Sequence, residues 1–281
     1  MNPLTNKIDF AVVLRVKHAN PNGDPLNGNR PRTDYNGYGE ITDVCLKRKV
    51  RDRLQEDGKY SIFVQSDDRK VDDATSLRDR ADKAFGKKFG SLETAQLACE
   101  KWIDVRAFGQ LFALPKKKGK GADEEGGEVG VSIPIRGPVT LQSAFSVQPV
   151  DVTSTQITKS VSGDGDGSKR GSDTMGMKHR VDNAVYVFYG SMNPQLAERT
   201  GFSNEDADAL KAIFPRLFEN DASSARPEGS MEILKVIWWK HNSKSGQYSS
   251  AKVHRSLKVG PDGTCTFDPL PGLEPEEIAG F

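Results

Sequence analysis

From Ile8 to Lys17 the hydrophobic positions alternate: Ile8, Phe10, Val12, Leu14 and Val16 fall on one side of the chain. The other side begins apolar, at Ala11 and Val13, and ends basic, at Arg15 and Lys17. A period of two predicts a strand buried on the first side. His18 to Arg32 is crowded with Asn, Gly and Pro, the residues of tight turns. Thr42 or Asp43 then caps a helix. Its apolar stripe is Leu46, Val50 and Leu54, and Lys47, Arg48, Lys49, Arg51 and Arg53 cover much of the rest.

Residues 57–101 are highly charged, mostly helical in pattern and poor in strand formers, and they read as an insertion. Trp102 to Phe108 reads as a short strand. Lys116 to Glu128, within 115–130, mixes lysines, acids and glycines and reads as a mobile surface loop. Val129 to Val147 reads as two short strands broken near Gly137-Pro138. The polar stretch 151–182 has a Ser/Gly/Asp centre from Ser162 to Ser172 and little apolar bulk. Ala184 to Tyr189 is a strong strand signal. Ser203 caps a helix with Asp206 at the capping-box position, and Pro215 should kink or split that helix. Met231 to Lys240 and Ala251 to Val259 read as strands, and 260–281 as an irregular tail. Setting the insertion aside, the order is βαββαβ, an α+β pattern shared by ferredoxin-like and RNA-recognition-motif folds.

Composition adds limits rather than a class. The 281 residues are 36% hydrophobic with 27 Gly, which suits a folded chain of one or two domains. No apolar run is long enough for a membrane helix. Met1 to Lys7 lacks the apolar block of a secretion signal, and Cys45, Cys99 and Cys265 form no disulfide framework, so a reducing cytoplasm is the expected setting. Net charge is +1, but the charge is segregated: Ala11–Arg53 carries +4, Ile233–Val259 +6, Met192–Glu232 −4 and Gly260–Phe281 −5. Such blocks suit a protein with one basic and one acidic surface.

Catalytic and metal signatures are weak. Gly163 opens a phosphate-loop look-alike that lacks the required Gly-Lys-Ser/Thr, and Lys169 stands where a calcium loop needs Gly. His18, His179, His241 and His254 form no ligand pair. His179 could act as a base in RNA cleavage. Asp24 and Asp34 could hold a metal, but two acids in a turn-rich loop ordinarily bond their own backbone. No catalytic residue, cofactor or metal is expected. The positive signal lies after the first strand. Asn20, Asn22 and Gly23 let backbone amides approach an anion, and Lys17, Arg30, Arg32, Lys47, Arg48 and Arg51 supply cations. That combination fits a sugar–phosphate backbone crossing the end of a sheet.

The stretch Arg15 to Arg32, followed by Gly39 to Arg51, closely resembles the Cascade backbone subunit of CRISPR systems, in the repeat-associated mysterious protein superfamily, and most nearly its type I-C branch. The resemblance extends through Trp102–Gly109, Ile135–Ser146 and Met177–Tyr186. It implies a single hand-shaped domain over 1–281. The palm is of the RNA-recognition type, the fingers are the helical insertion 57–101, and the thumb is an extended hairpin over 150–182. Copies would polymerise head to tail along one crRNA. Each thumb would kink the guide and leave the intervening bases open to a target DNA strand, in antiviral defence. Thumb residues Lys159, Lys169, Arg170, Lys178, His179 and Arg180 would meet phosphate. Met175 or Met177 would either wedge between bases or fill a packing gap. The acidic block near 198–232 is expected to face a neighbouring copy.

The resemblance further implies guide-processing, large and small Cascade subunits as partners, with phage anti-CRISPR proteins as antagonists. Some relatives cut RNA with an aspartate in the loop after the first strand, which brings Asp24 and Asp34 into view, but this branch is expected not to cleave. A metal-dependent RNA endonuclease of the same superfamily and a free-standing RNA-binding protein are the alternatives. The absence of the aromatic RNP pattern counts against the second.

Overall fold

The structure is a computed structural model that describes residues 2–91, 93–114, 131–158 and 175–281. Its strands are β1 (Ile8–Ala19), β2 (Gly23–Asp24), β3 (Arg30–Pro31), β4 (Tyr38–Ile41), β5 (Gly109–Leu114), β6 (Val131–Arg136), β7 (Val139–Leu141), β8 (Ala144–Pro149), β9 (Val152–Thr158), β10 (Met175–Met192), β11 (Met231–Lys240), β12 (Leu257–Val259), β13 (Cys265–Phe267) and β14 (Glu276–Ala279). Its α-helices are α1 (Asp43–Glu56), α2 (Leu77–Phe85), α3 (Thr94–Lys101), α4 (Ile103–Phe108), α5 (Pro194–Thr200), α6 (Asn204–Ile213) and α7 (Ser250–Ser256). Among the described residues, eight strands form one sheet in the order β14-β11-β1-β10-β8-β4, with β7 and β9 also on β10. Every pairing in it is antiparallel.

β1 is the central strand, paired with β10 on one side and β11 on the other. Its alternation places Ile8, Phe10, Val12, Leu14 and Val16 in the main core with Phe188, Trp238 and the stripes of α1 and α6. The Phe10 ring lies 5.0 Å from Phe214 and 5.6 Å from Trp238, centroid to centroid. A Cβ on Gly190, the residue paired with Phe10, would overlap that ring. The other face of the sheet carries a second core of Ala11, Ile237, Trp239, Val253, Leu257, Leu270 and Leu273, roofed by α7 and the C-terminal segment. The C-terminal segment reaches as far as Arg15, which donates to the Asp262 carbonyl at 3.1 Å, and leaves Lys17 exposed.

Capping chemistry sets the helix ends. Thr42 accepts from the Cys45 amide to start α1, and Ser203 and Asp206 form a reciprocal capping box on α6. Pro215 ends α6 at Ile213 and opens a 3-10 turn, Phe214–Arg216.

The element pattern departs from the sequence expectation at six places. Trp102–Phe108 is the helix α4, not a strand. Ile103 and Ala107, four apart, enter the main core, while Trp102 and Val105, three apart, enter a third core with Phe63, Ala81, Cys99 and Phe112. A short segment buried on both sides has no readable period. Ala251–Val259 is mostly helix too: Ser249 accepts from the Lys252 amide and starts α7, Val253 enters the second core from that helix, and only Leu257–Val259 is extended. The region 129–147 holds three strands among its described residues, with a second break at Gln142-Ser143. The strand expected over Ala184–Tyr189 is the middle of an 18-residue strand reaching back to Met175. Residues 57–101 are α-helical only in α2 and α3. The tail is not wholly irregular, because β13 pairs β12, and β14 closes the sheet edge against β11. The 115–130 loop lies outside the described residues. Among the described residues, no helix is long and apolar enough to cross a membrane.

Two buried polar clusters tie these layers together. Arg106 in α4 makes a two-pronged bond to Asp206 in α6, at 2.8 and 2.7 Å, with both side chains almost fully buried. On the other face, Asp9 accepts from His241 Nε2 at 2.9 Å and lies 3.2 Å from Lys7 and 3.6 Å from His254. Burial by itself pushes the Asp9 carboxyl up, but His241, Ser250, Lys7 and His254 outweigh it and hold the group below the usual carboxylate range. Burial pushes the His254 pKa down, against the pull of Asp9, so the ring is held neutral.

Asp206→Ala would leave the Arg106 charge buried without a partner and remove the α6 capping box. The expected loss is about 3–5 kcal/mol in urea unfolding. Acidification gives a second check. The unfolded chain protonates His254 near 6.5 while the folded chain resists, so unfolding free energy should fall as pH drops below that value. It should fall again through the carboxylate range as Asp9 is protonated, because the folded-state pKa of that group is depressed. His254→Gln should flatten the first step.

Candidate nucleic-acid interface

At the far end of β1 both the sheet and its roof run out. His18 takes a left-handed backbone (φ 53), a conformation that His and Asn tolerate better than most residues. The chain then enters a tight ribbon, β2–β3, that lies against β10. The ribbon is fastened from inside by its asparagines. Asn20 is buried, and its amide donates to the Asn29 carbonyl at 2.7 Å. Asn22 Oδ1 accepts from both the amide and the hydroxyl of Thr42, each at 3.0 Å, and so couples the ribbon to the start of α1. A Cβ on Gly23 would overlap the Asn29 side chain and force it to move. Asn20, Asn22 and Gly23 therefore shape the loop, and their polar atoms face inward.

Asp24 and Asp34 behave as turn residues. Asp24 Oδ1 accepts from the Leu26 amide at 3.2 Å and lies 3.4 Å from Arg32. Asp34 Oδ1 accepts from the Asn36 and Tyr38 amides, each at 2.9 Å. Among the described residues, no group of three or more His, Cys, Asp or Glu side chains could hold a metal ion.

All five cations of α1 have acidic partners. Lys47 pairs with Asp43 at 2.9 Å, and Arg48 with Asp68 at 3.2 Å. These are exposed pairs worth roughly 0.2–1 kcal/mol, which an incoming phosphate can replace. Lys49, buried against Asp221, and Arg51, 3.0 Å from the buried Asp104, are different. The Asp104 carboxylate also accepts from the Phe63 and Val64 amides, at 2.7 and 3.0 Å. Withdrawing Arg51 would strand a buried charge, at a cost of about 3–5 kcal/mol. Arg51 thus joins α1 to α4 rather than presenting its charge outward. Arg53 pairs with Glu56 and donates to the Glu219 carbonyl.

The sheet end itself forms an open cleft of 620 Å³ lined by Arg15, Lys17, His18, Asp182, Asn183 and Glu232, among others. Its acids, which include Asp262, are engaged. Glu232 pairs with Arg15 at 3.0 Å, Asp182 accepts from Thr153 at 2.6 Å and Arg180 at 3.1 Å, and Asp262 accepts from the amide and hydroxyl of Thr264 at 3.0 and 2.7 Å. The Thr153 bond, then Arg180, hold the Asp182 carboxyl below its ordinary pKa. Lys17 is exposed, and neither it nor Arg30 has an acidic partner among the described residues. The strand ends so placed are also where β9 and β10 leave the sheet as a two-stranded arm, in register from Val152↔Val181 to Thr158↔Met175. Met175 and Met177 lie on one face of it, 66% and 55% exposed, with His179, whose Nδ1 bonds the Ser154 hydroxyl at 2.8 Å. Lys178 and Arg180 lie on the other face with Ile157. Lys159, Lys169 and Arg170 lie outside the described residues.

Of the residues singled out from sequence, Lys17 and Arg30 lie at the sheet end, while Lys178, His179 and the two methionines lie along the arm, with Met175 at the far end of its described pairing. The fold sets Lys47 and Arg48 apart on α1. His18 and Asn183 were not singled out. The signal for Asn183 is its register opposite Lys17, which only the pairing of β1 with β10 creates. The acidic block 198–232 is largely neutralised within the chain: Glu198 by Lys244, Asp206 by Arg106, Glu219 by Arg216, Asp221 by Lys49 and Arg226, and Glu232 by Arg15. It does not form the uniform acidic face expected from sequence.

Comparison with known proteins is consistent with the extent of this fold. A family model described as CRISPR-associated protein Cas7 matches residues 6–270. A protein of Haloferax volcanii described as CRISPR-associated protein Cas7 is 28% identical over 278 residues, covering 92% of this chain and 77% of the relative. Among solved structures, a chain of a CRISPR RNA-guided surveillance complex in a pre-nicking state is similar at a TM-score of 0.48 and 17% identity, over 92% of this chain and 84% of that one. A chain of another CRISPR RNA-guided surveillance complex is similar at 0.45 and 18%, over 92% and 77%.

If Asn22 serves the loop rather than a ligand, Asn22→Ala should lower stability by about 1–2 kcal/mol in urea unfolding of protein free of nucleic acid. Lys17→Ala should stay within about 0.5 kcal/mol of the parent.

Proposed function

The chain belongs to the Cas7 family of CRISPR-associated proteins, and from that premise we propose that it is the non-catalytic backbone subunit of a Cascade surveillance complex, of the type I-C branch. In this reading it binds crRNA through sugar and phosphate, polymerises head to tail along it, and leaves guide bases free to pair with a target DNA strand. The observation that carries the proposal is the set of cations without acidic partners among the described residues, Lys17 and Arg30 at the sheet end and Lys178 partway along an arm bearing exposed methionines. A backbone held by cations binds without regard to sequence. The reading leaves sequence to base pairing, a division of labour known in another CRISPR effector.

The parts of the hand follow from the same reading. The antiparallel order β11-β1-β10-β8, with α1 and α6 on one face, supports a ferredoxin-like palm. Residues 57–101, with the β5–β6 hairpin packed on their small core, would be the fingers. The β9–β10 arm would be the thumb over 150–182, with Met175 or Met177 as the base-unstacking wedge. The turn roles of Asp24 and Asp34, and the bond from His179 to Ser154, support a subunit that holds RNA without cutting it. Other Cascade subunits would be its partners, and phage anti-CRISPR proteins its antagonists, in the cytoplasm.

Co-expressed with a CRISPR array, the purified chain should carry RNA, and nuclease digestion should leave a regular ladder of protected lengths. Lys17→Ala combined with Arg30→Ala should strip that RNA at physiological salt with the melting temperature unchanged. Monomer free of nucleic acid in the parent, or full RNA retention in the double variant, would overturn the reading. Cutting of the bound RNA by the parent protein would turn it toward a nuclease.

A further inference from the structure

The uncommitted cations are not confined to the sheet end. Two open cavities, of 610 and 490 Å³, meet along Pro134–Arg136 of β6. The first continues past α3 to Arg199 at the end of α5, and the second past Gly137 to Lys47 on α1. Arg136 and Arg199 are exposed and have no acidic partner among the described residues, and Lys47 is held only by its exposed neighbour Asp43. The one acid lining the trough, Glu100, accepts a hydrogen bond from Gln96 at 2.8 Å. Thr140 contributes a hydroxyl on the Lys47 side.

We infer that this trough holds the phosphodiester backbone of a single nucleic-acid strand, at a site separate from the cleft around Lys17. The guanidinium fork of Arg136 suits two phosphate oxygens at once, and Arg199 and Lys47 extend the positive charge to either side. A trough open along its length takes a linear polymer, whereas a protein partner anchors in closed, desolvated pockets. The inference rests on the guide-binding reading only in choosing between two sources of the strand, the guide RNA and the target DNA paired with it.

The test is the variant Arg136→Ala with Arg199→Ala, in the complex assembled on its guide. Both side chains are exposed and unpaired, so the fold should hold, and an unchanged melting temperature verifies this. If the strand is target DNA, guide content stays at the parent level. Affinity for a labelled complementary DNA oligonucleotide then falls about tenfold, and the slope of log K on log salt becomes shallower by about 1.4, as for two phosphates of a single strand. If the strand is the guide, RNA content falls instead, and either result supports the trough. Unchanged guide content together with unchanged DNA affinity and salt slope overturns it. Loss of assembly between copies with nucleic-acid binding intact overturns it as well, in favour of a protein interface. Should the parent chain carry no guide, the same variant is measured on the free protein with a poly-dT oligonucleotide. A fall in affinity there upholds the trough although the guide-holding reading has failed, and no change removes both.

Discussion

The structure depends on a central strand that is buried on both faces for half its length and mainly on one face for the rest. From Ile8 to Leu14, β1 has α1 and α6 against one face and α7 with the C-terminal segment against the other. Burying an apolar side chain contributes about 1.5–3 kcal/mol, and this stretch does so on both sides at once. That anchorage lets Lys17 and His18 stand exposed at the sheet end without loosening it. The same strand also supports Asp9, whose bond to His241 and approach to His254 link β1 to the segment that roofs the second face.

Charge is divided by burial. Lys49, Arg51 and Arg106 face Asp221, Asp104 and Asp206, at joints between α1, α4 and α6 or the segment that follows it. Breaking such a pair leaves a charge without water or partner, which keeps these cations unavailable to a ligand. Cations without acidic partners among the described residues, such as Lys17, Arg30, Arg136 and Arg199, carry no such obligation. Net charge near zero is therefore compatible with the proposed nucleic-acid binding, because pairing leaves particular cations free and does not neutralise each one.

The β9–β10 arm follows from one long strand serving two purposes. Between Ala184 and Met192, β10 is core, with Tyr186 and Phe188 fully buried. Between Met175 and Arg180 it is paired only with β9, and its apolar residues are exposed. Continuity of one strand transmits the rigidity of the core to the arm's base, so residues there keep a fixed position relative to Lys17 and Arg30. This is the arrangement needed if a wedge is to act at a set distance from a phosphate grip.

Much of this was legible in the residues themselves. Alternation located β1, an apolar run located β11, Thr42 and Ser203 located the starts of α1 and α6, and Pro215 located the end of α6, because each signal is local and involves neighbours within a few positions. The turn-rich ribbon and its cations were equally legible, as was the lack of an apolar interior in the arm. Tertiary structure alone decided the rest. The sequence marks Lys17, Arg51 and Arg136 as cations of equal standing, yet one faces solvent, one a buried carboxylate and one an unsuspected trough. Segments buried on two sides, such as α4 and α7, lose the one-sided pattern by which helices are told from strands. Which charges meet depends on strands and helices far apart in the chain, and no local spacing records that distance.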